Sequence, residues 1–139
     1  MSRTIKAISL TLALLTLPSA QADTTEQRAQ RMAQVMANAG APVNSVVYRG
    51  TYSWEALGEH SLLLWETPQR AYFVDVQPTC DDFPWAMNIV VDFRNMTLDS
   101  KFDNILVRGR RCQIYEIRPV DVKGLKAAER QARAERKDS

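Results

Sequence analysis

Residues 112–121 read Cys-Gln-Ile-Tyr-Glu-Ile-Arg-Pro-Val-Asp, and we expect the fold to be assembled around this stretch. Its apolar residues alternate with polar ones, as is typical of a β-strand, but the alternation fails near Tyr115, where a β-bulge would restore it. Pro119 has no N–H to donate to a strand ladder, so the strand is predicted to end there. Asp121 is then placed to cap a helix.

The segment that follows is predicted to be a C-terminal helix over residues 121–137. Its only strongly apolar residues, Val122 and Leu125, lie in the first two turns, so the start of the helix should dock on the domain while its end projects. Val120, just before the cap, is positioned to pack on Leu125 as a hydrophobic staple.

Two cysteines, Cys80 and Cys112, are present in the chain. We expect them to form a structural disulfide, because the chain begins with an export signal, described below, and oxidising compartments favour such bridges. A redox-active pair is the alternative, but active dithiols usually occur as Cys-x-x-Cys, and these two residues are far apart in sequence. The bridge would tie the strand of residues 112–121 to an irregular loop over residues 77–84, which also contains two prolines.

Residues 43–119 are predicted to form an antiparallel β region, because short β-branched and aromatic runs alternate there with turn segments, one of them residues 95–101. A helix over residues 24–39, ended by Gly40 and Pro42, should precede it. We therefore predict an α+β domain. It would contain an N-terminal helix, a strongly bent antiparallel sheet or small open barrel of six or seven strands, and a C-terminal helix.

Residues 1–22 have the pattern of a cleaved signal peptide. Arg3 and Lys6 form a short basic region, residues 7–17 are an apolar run, and small residues precede a cleavage site after Ala22. The apolar run is too short for a stable transmembrane helix, so we expect no transmembrane segment after cleavage. The sequence therefore predicts a periplasmic or secreted protein.

Removing the signal from the 139 residues leaves 117 residues, 23–139, which suits a single domain. The whole chain has 18 lysines and arginines against 16 aspartates and glutamates. Two of these cations lie in the signal, so the mature chain has no formal net charge. Its composition therefore gives no case for a nucleic-acid-binding protein.

The most credible interaction surface is basic: Arg108, Arg110 and Arg111 in a predicted hairpin turn, together with Arg118 and the predicted C-terminal helix. Arginine clusters bind phosphates and carboxylates through paired hydrogen bonds, so this surface could hold a lipid head group, an anionic polysaccharide or an acidic partner. The alternative is a solvated turn and a solvated helix end without a ligand, which we regard as the more frequent outcome for such a cluster.

No catalytic residue, metal site or cofactor is predicted. His60 is the only histidine, which excludes a multi-histidine metal site, and in its turn we expect it to be solvated. Asp81 and Asp82 could hold a hard cation such as calcium. Adjacent residues of an extended chain point apart, however, and no spaced ligand pattern surrounds this pair.

Two further possibilities stay open. A glycosidase-type hydrolase needs two carboxylates across a cleft, and Glu55, Glu66 and Asp75 lie on predicted strands where such a pair could form. The tryptophans could line an apolar or sugar-stacking groove, although in a small domain we expect them in the core. They are Trp54, Trp65 and Trp85.

The order of several short segments resembles a family of small exported proteobacterial proteins filed as a domain of unknown function. The matching segments are Pro42-Val43 leading into Tyr48, Trp54 with Leu57-Gly58, Leu64-Trp65 followed by Pro68, Ala71-Tyr72, Cys80, Phe102-Asp103, Cys112-Gln-Ile, and Ile117 to Asp121 with Leu125. The resemblance covers most of the mature chain. It implies export, paired cysteines and a single-domain fold, but no activity and no site residues. Many members of that family resemble lipoproteins, whereas this chain has no cysteine directly after its signal to carry a lipid.

The leading interpretation of the sequence is a non-enzymatic periplasmic binding or accessory protein of the bacterial cell envelope, with an envelope protein or an anionic ligand as its partner. A small carboxylate-based hydrolase and a binder of anions or lipid head groups at residues 108–111 are the alternatives. An enzyme should show acidic side chains converging in a cleft. An anion binder should lose its ligand when Arg108, Arg110 and Arg111 are neutralised, and again as the salt concentration rises.

Overall fold

A computed structural model describes the backbone of residues 20–138 and the side chains of residues 25–138. The predicted signal peptide lies outside the residues whose side chains are described. In chain order the elements are α1 (Ala20–Ala37), β1 (Ser45–Val47), β2 (Ser53–Ala56), β3 (Ser61–Thr67), β4 (Arg70–Val76), a 3-10 turn (Phe83–Trp85), β5 (Ile89–Asp92), β6 (Thr97–Asp99), β7 (Asn104–Val107), β8 (Arg110–Val120) and α2 (Val122–Lys137).

Six of the strands form one antiparallel half-barrel sheet in the order β2-β3-β4-β8-β7-β5. The 11-residue strand β8 joins its two halves, because its first part pairs with β7 and its second part with β4. The remaining strands, β1 and β6, pair as a separate two-stranded ribbon. With a helix before and after the sheet, this architecture confirms the predicted fold class.

The irregularity predicted in β8 is present. The register between β4 and β8 shifts at Tyr115, which is the extra residue of a bulge. Ile114 and Ile117 therefore reach the same core, although they are three residues apart. The stretch singled out in the sequence is thus the strand that unites the sheet.

The prediction that this strand ends at Pro119 is wrong. β8 continues to Val120, and Pro119 pairs with Tyr72 of β4. Proline is tolerated at this position because β7 pairs only with Arg110–Gln113, so no continuous ladder borders the other side of β8 there. The carbonyl of Pro119 instead accepts a hydrogen bond from the N–H of Gly40, with 2.8 Å between nitrogen and oxygen.

Two apolar cores lie on opposite faces of the sheet. β3 shows the division, since Leu62 and Leu64 belong to one core and Leu63 to the other, as expected for a strand with both faces covered. The ribbon-side core, to which the β1–β6 ribbon contributes, contains most of the buried side chains and both cysteines. The helix-side core lies beneath α1 and α2 and includes Val35 and Leu125.

α2 docks as predicted. Asp121 caps it by accepting a hydrogen bond from the N–H of Gly124 at 3.2 Å, and its buried residues are Val122 and Leu125. Beyond them the helix is fastened by a polar contact, because Glu129 accepts a hydrogen bond from Arg31 of α1 at 2.6 Å. The start of the helix is therefore packed, and its remaining turns are exposed or half-buried.

α1 differs from the predicted helix over residues 24–39 at both ends. It starts at Ala20 and stops at Ala37. Gly40 does not cap it, because the chain just after the helix pairs with the end of β8: Ala39 and Val43 each form an antiparallel bridge to that strand. The bridges turn the chain from the helix toward the sheet.

Residues 95–101, predicted to be a turn, contain the short strand β6. Asn95 and Met96 have φ values of 52° and 54°, in the left-handed region that reverses the chain before the strand. The strand is hard to recognise in the sequence because it has three residues and one buried side chain, that of Leu98. The turn prediction is therefore wrong for Thr97–Asp99.

Cys80 and Cys112 form the predicted disulfide, and their Cα atoms are 6.0 Å apart. Both side chains are buried in the ribbon-side core. A backbone hydrogen bond supports the cross-link, because the N–H of Gln77 donates to the carbonyl of Gln113 at 3.0 Å. Together these contacts fix the loop after β4, and the 3-10 turn that follows it, against β8.

Alkaline pH should weaken the fold through Tyr48. Burial raises the pKa of Tyr48 to about 12, although its hydrogen bond to Thr51 acts in the opposite direction. The pKa of a tyrosine in an unfolded chain is about 10, so the folded protein holds the phenol proton more tightly. The contribution of Tyr48 to the free energy of unfolding should therefore be constant below about pH 10. It should then fall as the pH rises from about 10 to about 12.

The measurement is the urea midpoint of the protein and of Tyr48→Phe at about pH 9 and about pH 11. The loss of stability between the two pH values should be smaller in Tyr48→Phe. Some loss should remain in the variant, because burial also raises the pKa of Tyr72. Equal losses in both proteins would contradict the prediction.

Candidate functional site

The arginines predicted to form an anion site are largely paired with acids. Arg110 Nη1 lies 3.2 Å from Asp82 Oδ2, and Arg111 Nη1 lies 3.0 Å from Asp92 Oδ2. Arg110 also donates to the carbonyl oxygen of Thr79 at 2.6 Å. These contacts connect β8 to β5 and to the loop over residues 77–84, which contains Cys80 and which we name the disulfide loop. Both guanidinium groups therefore already have anionic partners.

The other two arginines lie apart from this pair. Arg118 is eight residues beyond Arg110, which corresponds to about 26 Å along a strand, and it binds Glu116. Arg108 occupies the turn before β8 with a φ of 50° and is exposed. The four residues therefore do not converge on one point, and an anion-binding role for them stays a prediction.

The carboxylates considered for a hydrolase are also engaged with other groups. Glu55 accepts a hydrogen bond from Arg31 at 2.8 Å, and the same guanidinium reaches Glu129 at 2.6 Å. Burial opposes the charge on Arg31, but the hydrogen bonds to these two carboxylates outweigh it and raise its pKa. Glu66 Oε2 lies 3.6 Å from Arg70 Nη1. Each of these acids therefore has a structural ion-pair partner.

A cleft of about 860 Å³ opens between α1, the β2–β3 turn and the 3-10 turn. We name it the Trp85 cleft. Small-molecule sites have volumes of about 300–1,000 Å³, so the cleft is of ligand size. Among residues 25–138, its lining is Thr25, Arg28, Ala29, Met32, Leu57, Gly58, Glu59, His60, Ser61, Pro84 and Trp85.

Backbone hydrogen bonds set two walls of the Trp85 cleft. The N–H of Leu57 donates to the carbonyl of Ser61 at 2.9 Å, which closes the β2–β3 turn. The N–H of Phe83 donates to the carbonyl of Glu59 at 3.4 Å and joins that turn to the 3-10 turn. The third wall is α1, which presents Met32 and is held in place by its packing on the helix-side core.

The tryptophans divide between the cores and the cleft. Trp54 and Trp65 are half-buried and pack against the ribbon-side and helix-side cores, respectively, as predicted. Trp85 is 68% exposed, so its predicted core position is wrong. The 3-10 turn explains the difference, because within it Phe83 fills the core while Trp85, two residues later, lies at the cleft.

His60 lines the cleft and is oriented by Asp75. The imidazole Nδ1 lies 2.7 Å from Asp75 Oδ1, and Ser61 Oγ donates to the same oxygen at 2.8 Å. Because Nδ1 is hydrogen-bonded to a carboxylate, it carries the proton of the neutral ring and leaves Nε2 for another partner. The side chain is 38% exposed, so a ligand in the cleft can reach it.

The formal charges at the Trp85 cleft come from Arg28 and Glu59. Arg28 is half-buried, and among residues 25–138 no acid forms an ion pair with it. Glu59 is exposed in the β2–β3 turn. The cleft therefore combines apolar walls with a few polar groups, which is the usual composition of a small-ligand site.

Sequence reasoning did not bring these side chains together. Arg28, His60 and Trp85 come from three separate segments, and their convergence depends on the packing of α1 and of the disulfide loop. Two signals were available in the sequence: the single histidine in a turn, and Asp75 among the apolar residues of a strand. Neither signal identifies a partner, because fifteen positions separate His60 from Asp75.

Within residues 25–138, no three side chains of the metal-binding types converge as metal ligands would. Asp81 and Asp82, considered for calcium, instead lie near Arg110. Arg110 Nη1 is 3.8 Å from Asp81 Oδ1 and 3.2 Å from Asp82 Oδ2.

In the described part of the chain, neither α1 nor α2 combines the length and apolar character needed to cross a bilayer.

The fold and the cleft define a small, disulfide-bonded α+β domain with a ligand-sized opening. A model of a family of unknown function, DUF6491, matches residues 2–136, and the chain belongs to this family. No curated protein and no solved structure matches the chain. Membership in a family without an assigned activity agrees with the resemblance seen in the sequence, while export of the protein stays a prediction.

Proposed function

We propose that the mature protein is an exported, non-enzymatic binding protein of the bacterial cell envelope that holds a small apolar ligand in the Trp85 cleft. The observation that carries this proposal is the exposed indole of Trp85 in an opening of about 860 Å³. An indole is among the largest apolar groups a protein can offer, and covering it with a ligand removes a large apolar area from water.

The polar groups of the cleft favour binding over catalysis. Ser61 Oγ donates to Asp75 rather than to His60, so these residues do not form the relay that activates a serine nucleophile. Ser61 is also only 4% exposed, unlike the solvent-accessible serine that a nucleophile requires. His60 and Asp75 are therefore better suited to orienting a bound molecule than to cleaving it.

Export is supported by the signal-like pattern of residues 1–22 and by the disulfide, because such bridges form and persist in oxidising compartments. We propose cleavage after Ala22 and a periplasmic or secreted location. Among residues 25–138, the lining of the cleft begins at Thr25, which belongs to the proposed mature chain.

The two alternatives receive less support. At the hairpin, Arg110 and Arg111 are matched by acids, which reduces their capacity to bind an external anion. For a hydrolase, Glu55 and Glu66 have arginine partners. An accessory role beside another envelope protein is compatible with the proposal, because the cleft could serve a ligand that such a partner supplies.

The test uses N-phenyl-1-naphthylamine, a neutral dye whose fluorescence rises in apolar surroundings. We expect saturable binding of the dye to the mature protein. In Trp85→Ala the dissociation constant should increase at least about fivefold, since losing the indole contact should remove about 1 kcal/mol or more. Binding is measured by fluorescence titration at constant ionic strength.

Met87→Ala is the matched control, because Met87 is 98% exposed, two residues from Trp85, and outside the cleft. It should leave the dissociation constant unchanged. Absence of saturable binding, or equal weakening by both substitutions, would contradict the proposed function. Circular dichroism spectra of the variants should match that of the parent protein, since both replaced side chains are exposed.

A further inference from the structure

The Trp85 cleft contains a positive charge, that of Arg28, which has no ion-pair partner among residues 25–138. Arg28 is half-buried in the wall formed by α1, and within residues 25–138 no side chain or carbonyl accepts a hydrogen bond from its guanidinium. Arg31, one turn farther along the same helix, and Arg118 are also half-buried, but both bind carboxylates. An anion that enters the site would therefore stabilise this half-buried, unpaired cation.

Glu59 does not fill this role. It is exposed in the β2–β3 turn and forms no ion pair with Arg28. Its backbone carbonyl, rather than its carboxylate, makes the contact that shapes the cleft, by accepting a hydrogen bond from Phe83. Water already stabilises the solvated carboxylate of Glu59. A counter-ion would therefore stabilise Arg28 rather than Glu59.

His60 supplies a second polar group next to the apolar lining. Asp75 occupies Nδ1, so Nε2 is the nitrogen that remains for a ligand. With the proton of the neutral ring on Nδ1, Nε2 accepts a hydrogen bond, whereas every nitrogen of Arg28 donates one. A carboxylate or phosphate oxygen is therefore the ligand group that accepts from Arg28.

We propose that the ligand of the Trp85 cleft is a single-chain amphiphile with an acidic head group. Its apolar chain packs on Trp85 and Met32, and its anionic oxygens accept hydrogen bonds from Arg28. This inference rests on the proposed function and adds the chemical class of the ligand. It assigns anion recognition to α1 and the β2–β3 turn, instead of the hairpin at residues 108–111.

The experiment compares three competitors with the same alkyl chain: decanoate, decanol and decyltrimethylammonium. Each is titrated against the mature protein loaded with N-phenyl-1-naphthylamine, below the concentration at which it forms micelles. We expect decanoate to displace the dye at a concentration about tenfold lower than decanol does, as a charge-assisted hydrogen bond would produce. The cationic competitor should be the weakest, and the advantage of decanoate should shrink as salt is added.

Arg28→Gln should remove the advantage of decanoate over decanol, measured as the ratio of the concentrations at which they displace the dye from that variant. Arg130→Gln is the control, because Arg130 is exposed on α2 and outside the cleft, and it should preserve that advantage. Equal displacement by decanoate and decanol, or an advantage that survives Arg28→Gln, would overturn the head-group inference but not the proposed function. Failure of the dye itself to bind would instead overturn the proposed function.

Discussion

Replacing both cysteines with alanine should lower the free energy of unfolding by about 3–4 kcal/mol, the value expected for opening a cross-link across this length of chain. The bridged residues, Cys80 and Cys112, are 32 positions apart, so the disulfide excludes many extended conformations of the unfolded chain. In a domain of this size the melting temperature should fall by about 10–15 °C. Alanine is chosen because serine would place two hydroxyl groups in the ribbon-side core, where both sulfur atoms are buried.

Urea denaturation of the oxidised protein and of the double variant measures this effect. The parent protein in excess dithiothreitol is the natural control, since it lacks the cross-link but keeps both side chains, and its midpoint should lie near that of the variant. The loop that follows β4 should also become more susceptible to proteolysis, because the disulfide fixes it to β8. Equal midpoints for the oxidised protein and the variant would show that the bridge has no structural role.

Leu125→Ala should destabilise the protein by about 2–5 kcal/mol, the range measured for removing a buried leucine side chain. Leu125 is fully buried, and together with Val122 it makes up the buried apolar surface of α2. The rest of the helix is held by polar contacts such as that between Glu129 and Arg31. The substitution should therefore loosen α2 before it disrupts the sheet.

Urea midpoints give the size of this effect, and amide hydrogen exchange gives its location. Lys123→Ala is the control, because Lys123 lies in the same turn but is exposed, and it should change stability by less than about 0.5 kcal/mol. Protection factors in α2 should fall more than those in β4 and β8. Uniform loss of protection would mean that α2 and the sheet unfold as one unit, contrary to this account.

The parts of the fold that follow from local chemistry were predictable. The cap at Asp121, the packed start of α2 and the bulge at Tyr115 each depend on residues that are neighbours in sequence. The features that were mispredicted depend on distant segments. Pro119 remains in a strand because β7 is short, and α1 stops before Gly40 because the chain there pairs with β8.

The candidate site was less predictable than the fold for the same reason. The arginine cluster at residues 108–111 is conspicuous in sequence, but its acidic partners come from the disulfide loop and β5. The Trp85 cleft has no linear pattern, because its walls come from α1, a hairpin turn and a 3-10 turn. Only the tertiary structure shows that, within residues 25–138, no acid pairs with Arg28 while Arg31, one turn away, has two carboxylate partners.

The most direct test of the central claim, that the Trp85 cleft binds an apolar ligand, is an NMR titration of the indole N–H signals. The chain has three tryptophans, so three signals are expected, and single substitutions to phenylalanine assign them. Addition of N-phenyl-1-naphthylamine should shift the signal of Trp85 saturably and those of Trp54 and Trp65 much less. Binding of the dye without a shift at Trp85 would contradict the account.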